Sequence, residues 1–472
     1  MAKQITLDHI PPKHGLLDFL NEGITPHHVC ANIIRAINSA TEKSQVVKYL
    51  NEGDEWKALN AETIYIVKRG ASICVLRGDP KALPETGARI LAAHTDSPGI
   101  RLKPNFDITR NGYPQLSVES YGGLLLSTWL DRPLALAGQL IVSRNATSKT
   151  KNSNKATPVT SEKTRLEGHL VDTRDAIATI PNLAIHLSRD VNTKGLIVNK
   201  QKHLTPLTGM AIQKQTSSNS DKEKKPAETI LNHLLKLVDK NINTPILGHE
   251  LWLYDNTPAQ YIGVDRDLIQ SARLDNLASC WSALNAFLTA VKQSTLPIAL
   301  MLFNHEECGS RSDHGAMSPF LEECLQRWAT TKTVQSKESV IRTKRNSLLI
   351  SADMTHALHP NYPEAHEPTH QPVLGGGIAI KHNYNQSYAT EALGSAILAD
   401  IATRNDIATQ CFVSRSDKRC GTTIGPISAA VTGIRTVDVG APMLGMHSCK
   451  ETAAVSDITH SIPLFTHFLS RT

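Results

Sequence analysis

Nothing in this chain is built for a membrane or for an oxidising compartment. No apolar run approaches the ~20 residues that a membrane helix requires, and residues Met1 to Ile10 lack the basic and apolar blocks of a secretory signal. The eight cysteines are scattered without the paired spacings of a disulfide framework, which fits a reducing compartment and points to the cytoplasm. Internal repeats are missing. A Gly-rich phosphate loop is missing too: Cys420-Gly421-Thr422-Thr423-Ile424-Gly425-Pro426 looks like one only superficially, because it has no lysine.

Aromatic residues are also absent where the positive charge lies. The formal net charge is +6. Residues 144–165 carry six Lys and Arg against Glu162 alone, and residues 211–228 carry four lysines against three acids, so these two stretches hold the entire surplus. Both are rich in Ser, Thr, Asn and Lys and read as mobile surface loops. A groove for single-stranded nucleic acid interleaves aromatics with its cations; neither stretch contains one, which argues against nucleic acid as a partner. A basic rim would steer acidic peptides only within about a Debye length, ~8–10 Å.

At 472 residues, 40% hydrophobic and 20% charged, the chain has the composition of a soluble globular protein with room for two or three domains. Four short apolar runs end in acid or histidine. His94-Thr95-Asp96 follows Ile90–Ala93, and Glu306-Glu307 comes after Pro297–Phe303. Asp353 and His356 follow Leu348–Ser351, and His447 lies a few residues beyond Thr436–Gly440. Runs of this length read as buried strands of a parallel sheet. In open α/β sheets the binding crevice lies beyond the carboxyl ends of the strands, so four such clusters can converge there. A fifth acid, Asp275, precedes the helical apolar spacing of Ala278–Leu288, which places it at or just before a helix N-terminus.

Carboxylates and imidazoles in this number suit two-metal hydrolysis. They are the zinc ligands of catalytic sites, and two cations ~3.5–4 Å apart can share one carboxylate. Alternation along a strand would turn one of Glu306 and Glu307 toward the metals and the other toward water. Alternation would also turn Cys308 away from the metals, as a small buried residue. Taken singly, each position has an ordinary reading: Asp275 as an N-cap, His94 and His447 as structural histidines, Asp353 as a turn residue.

Together, Ala93–Pro98, Arg273–Leu277, His305–Gly309, Ser351–Tyr362, Cys420–Pro426 and Met446–Ser448 resemble the M18 metallo-aminopeptidases, the aspartyl aminopeptidases. The similarity runs from about residue 15 to the C-terminus. The resemblance implies that His94 and Asp353 ligate one metal, that Glu307 and His447 ligate the other, and that Asp275 bridges them. Glu306 would be the general base and Asp96 would orient His94. It implies two divalent ions per chain, zinc foremost with manganese or cobalt as alternatives. Lys381 and His356 match substrate-side positions for an acidic first residue, and His186 matches a histidine that one subunit inserts into its partner's site. The charges around Glu306 push its pKa up and two dications would offset that push, so no net shift is expected.

The fold implied is α/β: a mixed, doubly wound sheet flanked by helices in a catalytic domain spanning residues 1–97 and 246–472. A β-rich domain, residues 98–245, is inserted in it. Strand-like segments at Leu116–Ser120, Leu136–Val142, Leu166–Val171 and Leu183–Leu187, and a short helix at Thr229–Val238, fill that insertion. In the resembled family the insertion dimerises and caps the site, and dimers close into a dodecamer. The leading expectation is removal of N-terminal Asp or Glu from peptides. A dinuclear aminopeptidase of broader specificity and a non-catalytic oligomeric scaffold are the alternatives.

Overall fold

The computed structural model describes residues 15–41, 45–56, 59–144, 165–211, scattered positions between 230 and 237, 246–330 and 336–470. The basic stretches 144–165 and 211–228 therefore lie outside the described residues except at their edges, whereas the described positions of the helix expected at 229–238, namely 230, 231, 233, 234, 236 and 237, are helical. The chain divides into two compact units, Met1–Pro98 with Pro258–Thr472, and Gly99–Thr257.

The larger unit is organised by a nine-stranded mixed sheet. At its centre Ile298–Phe303, Arg89–His94, Leu348–Ala352 and Arg435–Gly440 lie side by side, all parallel. Ser72–Arg77, Ile64–Arg69 and Val47–Leu50 extend one edge; Ile378–His382 and Thr409–Val413 extend the other. The central strands read as continuous apolar runs because both faces are covered. Leu300, Leu302, Leu91 and Ala93 pack on one side with helices Pro26–Ala40, Leu274–Ala290 and Val455–Ser470. Their neighbours Ala299, Met301, Ile90 and Ala92 pack on the other side, with helix Phe320–Ala329. This two-residue alternation between two cores is the doubly wound arrangement. Because the four strands are parallel, their carboxyl ends share one edge, with Phe303 opposite His94 and Ala352 opposite Val439.

A second sheet in the same unit has five short strands, among them Leu268–Ser271 and Glu451–Ala454. Its register sets Ser271 opposite Glu451, which brings the segment entering Asp275 against the segment leaving His447.

The smaller unit is an antiparallel five-stranded sheet in the order Tyr113–Tyr121, Gly99–Arg110, Ile246–Asp255, Leu134–Arg144, Arg165–Asp172. The apolar alternation of the sequence ends the insertion at 245, whereas Ile246–Asp255 is the middle strand of this sheet, paired on both sides. The chain leaves the unit after Thr257 for that reason. Leu183–Leu187 also departs from expectation. Ile185–Leu187 is a 3-10 turn, and Leu183, Ile185 and Leu187 are exposed instead of alternating into a sheet.

All eight cysteines are free thiols. Among the described residues no helix is long and apolar enough to cross a membrane.

Candidate active site

Three of the central four strands deliver an acid or histidine at or within a few residues of their carboxyl ends, and His447 follows the fourth by seven residues, beyond the short strand Pro442–Leu444. His94 closes its strand, and the ladder runs on through Thr95 N–H to Phe303 O at 2.7 Å. Asp353 follows Ala352, and its N–H donates to Val439 O at 2.9 Å. Gly440 comes next in that neighbouring strand, and a Cβ on it would lie 1.8 Å from the Asp353 carbonyl oxygen. Only glycine allows the two backbones to approach this closely.

The acids and histidines form two triads that share one carboxylate. His94 Nε2 lies 3.4 Å from Asp275 Oδ1 and 3.5 Å from Asp353 Oδ1. His447 Nε2 lies 3.4 Å from Asp275 Oδ2 and 3.4 Å from Glu307 Oε1. These spacings are longer than a good N–H···O bond, ~2.7–3.2 Å. They match a tetrahedral edge: two ligand atoms each ~2.0–2.2 Å from a zinc lie roughly 3.3–3.6 Å apart. Asp275 Oδ1 is moreover a buried oxygen without a hydrogen-bond partner, a state that ordinarily calls for an ion or water. The residues fit a pair of divalent cations, one in each triad, with the Asp275 carboxylate between them.

Asp275 does not cap the helix that follows it. Asp275 and Asn276 have non-helical backbone angles, and no side chain caps that N-terminus. The Asp275–Asn276 peptide is cis. Ser97 Oγ donates to Asp275 O at 2.5 Å, and Asn276 Nδ2 donates to Ala352 O at 2.8 Å, tying this turn to two of the strand ends.

Glu306 and Glu307 are not on a strand. The strand ends at Phe303, His305 takes φ +64°, and residues 306–309 form a turn closed by Gly309 N–H to Glu306 O at 2.9 Å. Alternation therefore does not apply, and Cys308 is exposed, contrary to the burial that alternation implies. Asp96 holds this turn. Its Oδ1 and Oδ2 accept the N–H groups of Glu306 and Glu307, each at 3.1 Å. His94 is oriented chiefly by the Asp96 carbonyl, 2.9 Å from Nδ1, with the Asp96 carboxylate farther off at 3.5 Å. Donation from Nδ1 leaves the Nε2 lone pair for a cation.

Glu451 repeats the Asp96 device on the other side and is the residue that sequence reasoning missed. It is buried; its Oε1 accepts His447 N–H at 2.7 Å and its Oε2 accepts Asp275 N–H at 3.1 Å. The available signal was an acid four residues past His447.

Without cations, protons compensate the clustered charge. Burial opposes protonation of His447, but Asp275 and Glu307 outweigh it and raise its pKa to about 11. His94 is likewise raised well above the usual imidazole range, burial being outweighed by Asp275, Asp353 and Asp96. Burial, despite His447, lifts Glu307 to about 7. Asp275, although buried, is held well below the usual carboxylate range by the two histidines. Burial first, then Glu307, Asp353 and Asp96, push Glu306 well up.

Lys381 lies in the same site. It is buried, with Nζ 3.7 Å from Asp353 Oδ2 and 5.2 Å from the centre of the Tyr388 ring. Asp457 shapes the approach to its strand by accepting the N–H groups of Gly375 and Gly377, both at 2.8 Å. His356 stands edge-on to Phe412 at 5.9 Å and lines a cavity of about 420 Å³. Although the residue keeps exposed surface, desolvation by the surrounding protein and then Lys381 hold its pKa down to about 4, so it is neutral. His186 belongs to the smaller unit, exposed on the turn Ile185–Leu187.

The chain is similar to known proteins over most of its length. Residues 19–469 match the family model described as aminopeptidase I zinc metalloprotease (M18). A probable M18 family aminopeptidase 2 of Stutzerimonas stutzeri is 37% identical over 456 residues, covering 97% of each chain. Among solved structures, Ape4 in its complex with Nbr1 superposes with a TM-score of 0.84 at 35% identity, over 96% of this chain and 84% of that one. The S. cerevisiae mApe1 dodecamer gives 0.77 at 25% identity, over 97% of this chain and 95% of that one. The chain belongs to the M18 family of metallo-aminopeptidases.

Proposed function

We propose that this protein is a two-metal aminopeptidase that removes unblocked Asp or Glu from the N-terminus of peptides. The observation that carries the reading is the Asp275 carboxylate, whose two oxygens each lie 3.4 Å from the Nε2 of a different histidine. A scaffold has no use for that arrangement. In this reading His94 and Asp353 hold one ion, Glu307 and His447 the other, and Asp275 both, with zinc the first candidate and manganese or cobalt also suited to these ligands. When bound, the ions would polarise the scissile carbonyl and make a water acidic enough to attack.

The remaining work falls to the chain. Glu306 ligates neither ion; its carboxylate takes the proton from the attacking water and passes it to the departing amine. Asp96 holds Glu306 and Glu307 in place through their backbone N–H groups. Surplus carboxylate charge at the centre receives the free N-terminal ammonium. Lys381 meets the carboxylate of the first side chain, with neutral His356 beside it. His186 completes the site of a partner subunit, in dimers that the inserted sheet joins and that close into a dodecamer in the cytoplasm. The dodecameric relative supports that last step.

The Lys381–Asp353 contact favours a second reading, in which Lys381 serves the ligand carboxylate and the site takes neutral first residues. Kinetics on Asp-, Glu- and Leu-anilides with Lys381→Met separate the two. Removing a partner from a desolvated charge pair costs about 2–5 kcal/mol, so cleavage of Asp and Glu substrates falls at least ~30-fold while Leu cleavage holds. Equal loss on all three substrates would favour the second reading.

A further inference from the structure

We propose that the cavity beside Lys381 holds a second carboxylate of the substrate, received by Lys418 and Arg419. This rests on the aminopeptidase reading and extends it from the first residue to the rest of the peptide. The cavity is about 420 Å³, within the ~300–1,000 Å³ of pockets that take whole small molecules and roomier than one acidic side chain needs. His356, Tyr388 and Phe412 form part of its lining, and Lys381, which does not itself line the cavity, has its Nζ 5.2 Å from the centre of the Tyr388 ring.

Arg415, Lys418 and Arg419 also line it. Arg415 is already engaged, by Asp417 at 2.8 and 2.6 Å and by Glu364 O at 2.9 Å. Glu367, the acid in the lining, is turned to His370 and Thr369, at 2.9 to 3.0 Å. Lys418 and Arg419 have no carboxylate partner among the described residues. Lys418 and Arg419 thus face a cavity whose lining acid, Glu367, is turned to other partners, and Lys418 has only a through-space effect on its neighbour Asp417. A first-residue acid at Lys381 does not use them, whereas a second carboxylate on the same peptide does. That group can be an Asp or Glu side chain at the second or third position, or the free C-terminus of a short peptide.

The test compares zinc-loaded full-length protein with the double variant Lys418→Ala, Arg419→Ala. Substrates are Asp-Ala-Ala-amide, Asp-Glu-Ala-amide, Asp-Ala-Glu-amide and the free acid Asp-Ala-Ala. Both side chains are exposed, and exposed charge pairs contribute modestly. The second carboxylate should therefore raise kcat/KM about three- to tenfold at low salt, through KM. The double variant, and Lys418→Gln with Arg419→Gln, should lose that preference and keep wild-type kcat/KM on Asp-Ala-Ala-amide. Which carboxylate-bearing peptide is favoured identifies the source. Equal rates on all four peptides in the wild type, or equal loss on all four in the variant, would overturn the proposal. Leu-Ala-Ala-amide and Leu-Glu-Ala-amide keep it separable from first-residue specificity. Preference for the second of these without preference for Asp over Leu sinks the acidic first-residue reading alone. If nothing is turned over, calorimetry decides instead: tighter binding of Asp-Glu-Ala-amide than of Asp-Ala-Ala-amide supports the proposal, and equal binding overturns it.

Discussion

Replacing Glu451 with glutamine tests whether the paired triads depend on a carboxylate that touches no substrate. The side chain is buried and spans two turns, accepting His447 N–H at 2.7 Å and Asp275 N–H at 3.1 Å. A glutamine amide has one oxygen and one NH2 group, so either way round it faces one backbone N–H with a donor. The shorter bond should keep the oxygen, which leaves the Asp275 N–H opposed. Losing a hydrogen bond to a charged group costs ~1.5–3 kcal/mol, and Asp275 is the carboxylate common to both triads. Zinc affinity should fall about 10- to 100-fold, the range seen when groups behind a ligand are changed. The assay is competition for zinc between metal-stripped protein and a chelator of known affinity, alongside thermal melts in EDTA. A variant that is folded and binds zinc with wild-type affinity would refute the reasoning. So would one that loses metal-free stability alone.

Other outcomes follow from the same geometry. With His447 raised to about 11 and Glu307 to about 7, His447 is protonated and Glu307 about half protonated at neutral pH before metal binds. His94 is raised well above the usual imidazole range as well, so zinc uptake at pH 7 should release about two to three protons per chain, read by calorimetry in buffers of different ionisation enthalpy; no release would contradict the assigned ligands. The raised His447 pKa stabilises the metal-free fold fully below the unfolded value of ~6.5, and that contribution is lost as pH rises through about 11. EDTA-treated protein should accordingly melt earlier as pH climbs from 8 toward 11. Gly440→Ala drives a methyl into the Asp353 carbonyl and should abolish the activity or the fold, whereas Gly53→Ala meets only Asn51 Oδ1 at 3.8 Å and should leave both intact. If His186 acts across subunits, His186→Ala and Glu306→Gln are each inactive alone, and co-refolded mixtures recover up to about a quarter of wild-type rate per site by random pairing; no recovery argues for a site complete within one chain.

The apolar runs made much of this legible. Four buried strands with acid or histidine at their ends need little more than the parallel-sheet rule to predict a shared edge, and His94, Asp353 and the Glu306–Glu307 pair lie there. Asp275 was visible as an acid before a helix, but its aim between two histidines depends on backbone angles that no helical spacing encodes. Alternation failed at Glu306 and Cys308 because the strand stops three residues earlier and His305 turns left-handed. Glu451 escaped notice because its role comes from register: Ser271 and Glu451 are 180 positions apart and become neighbours only in the second sheet. The boundary at Thr257 was missed for a related reason. Ile246–Asp255 reads equally well as a buried strand of either unit, and only its pairing partners decide.

Zinc titration of stripped protein, following bound metal and Asp-anilide cleavage together, tests the two-metal aminopeptidase most directly. Two zinc ions should bind per chain, with cleavage absent before zinc is added and complete at the second equivalent. Glu306→Gln should bind the same two ions and turn over ~10²- to 10⁴-fold more slowly. Cleavage that survives stripping, or fewer than one ion bound per chain, would contradict the account.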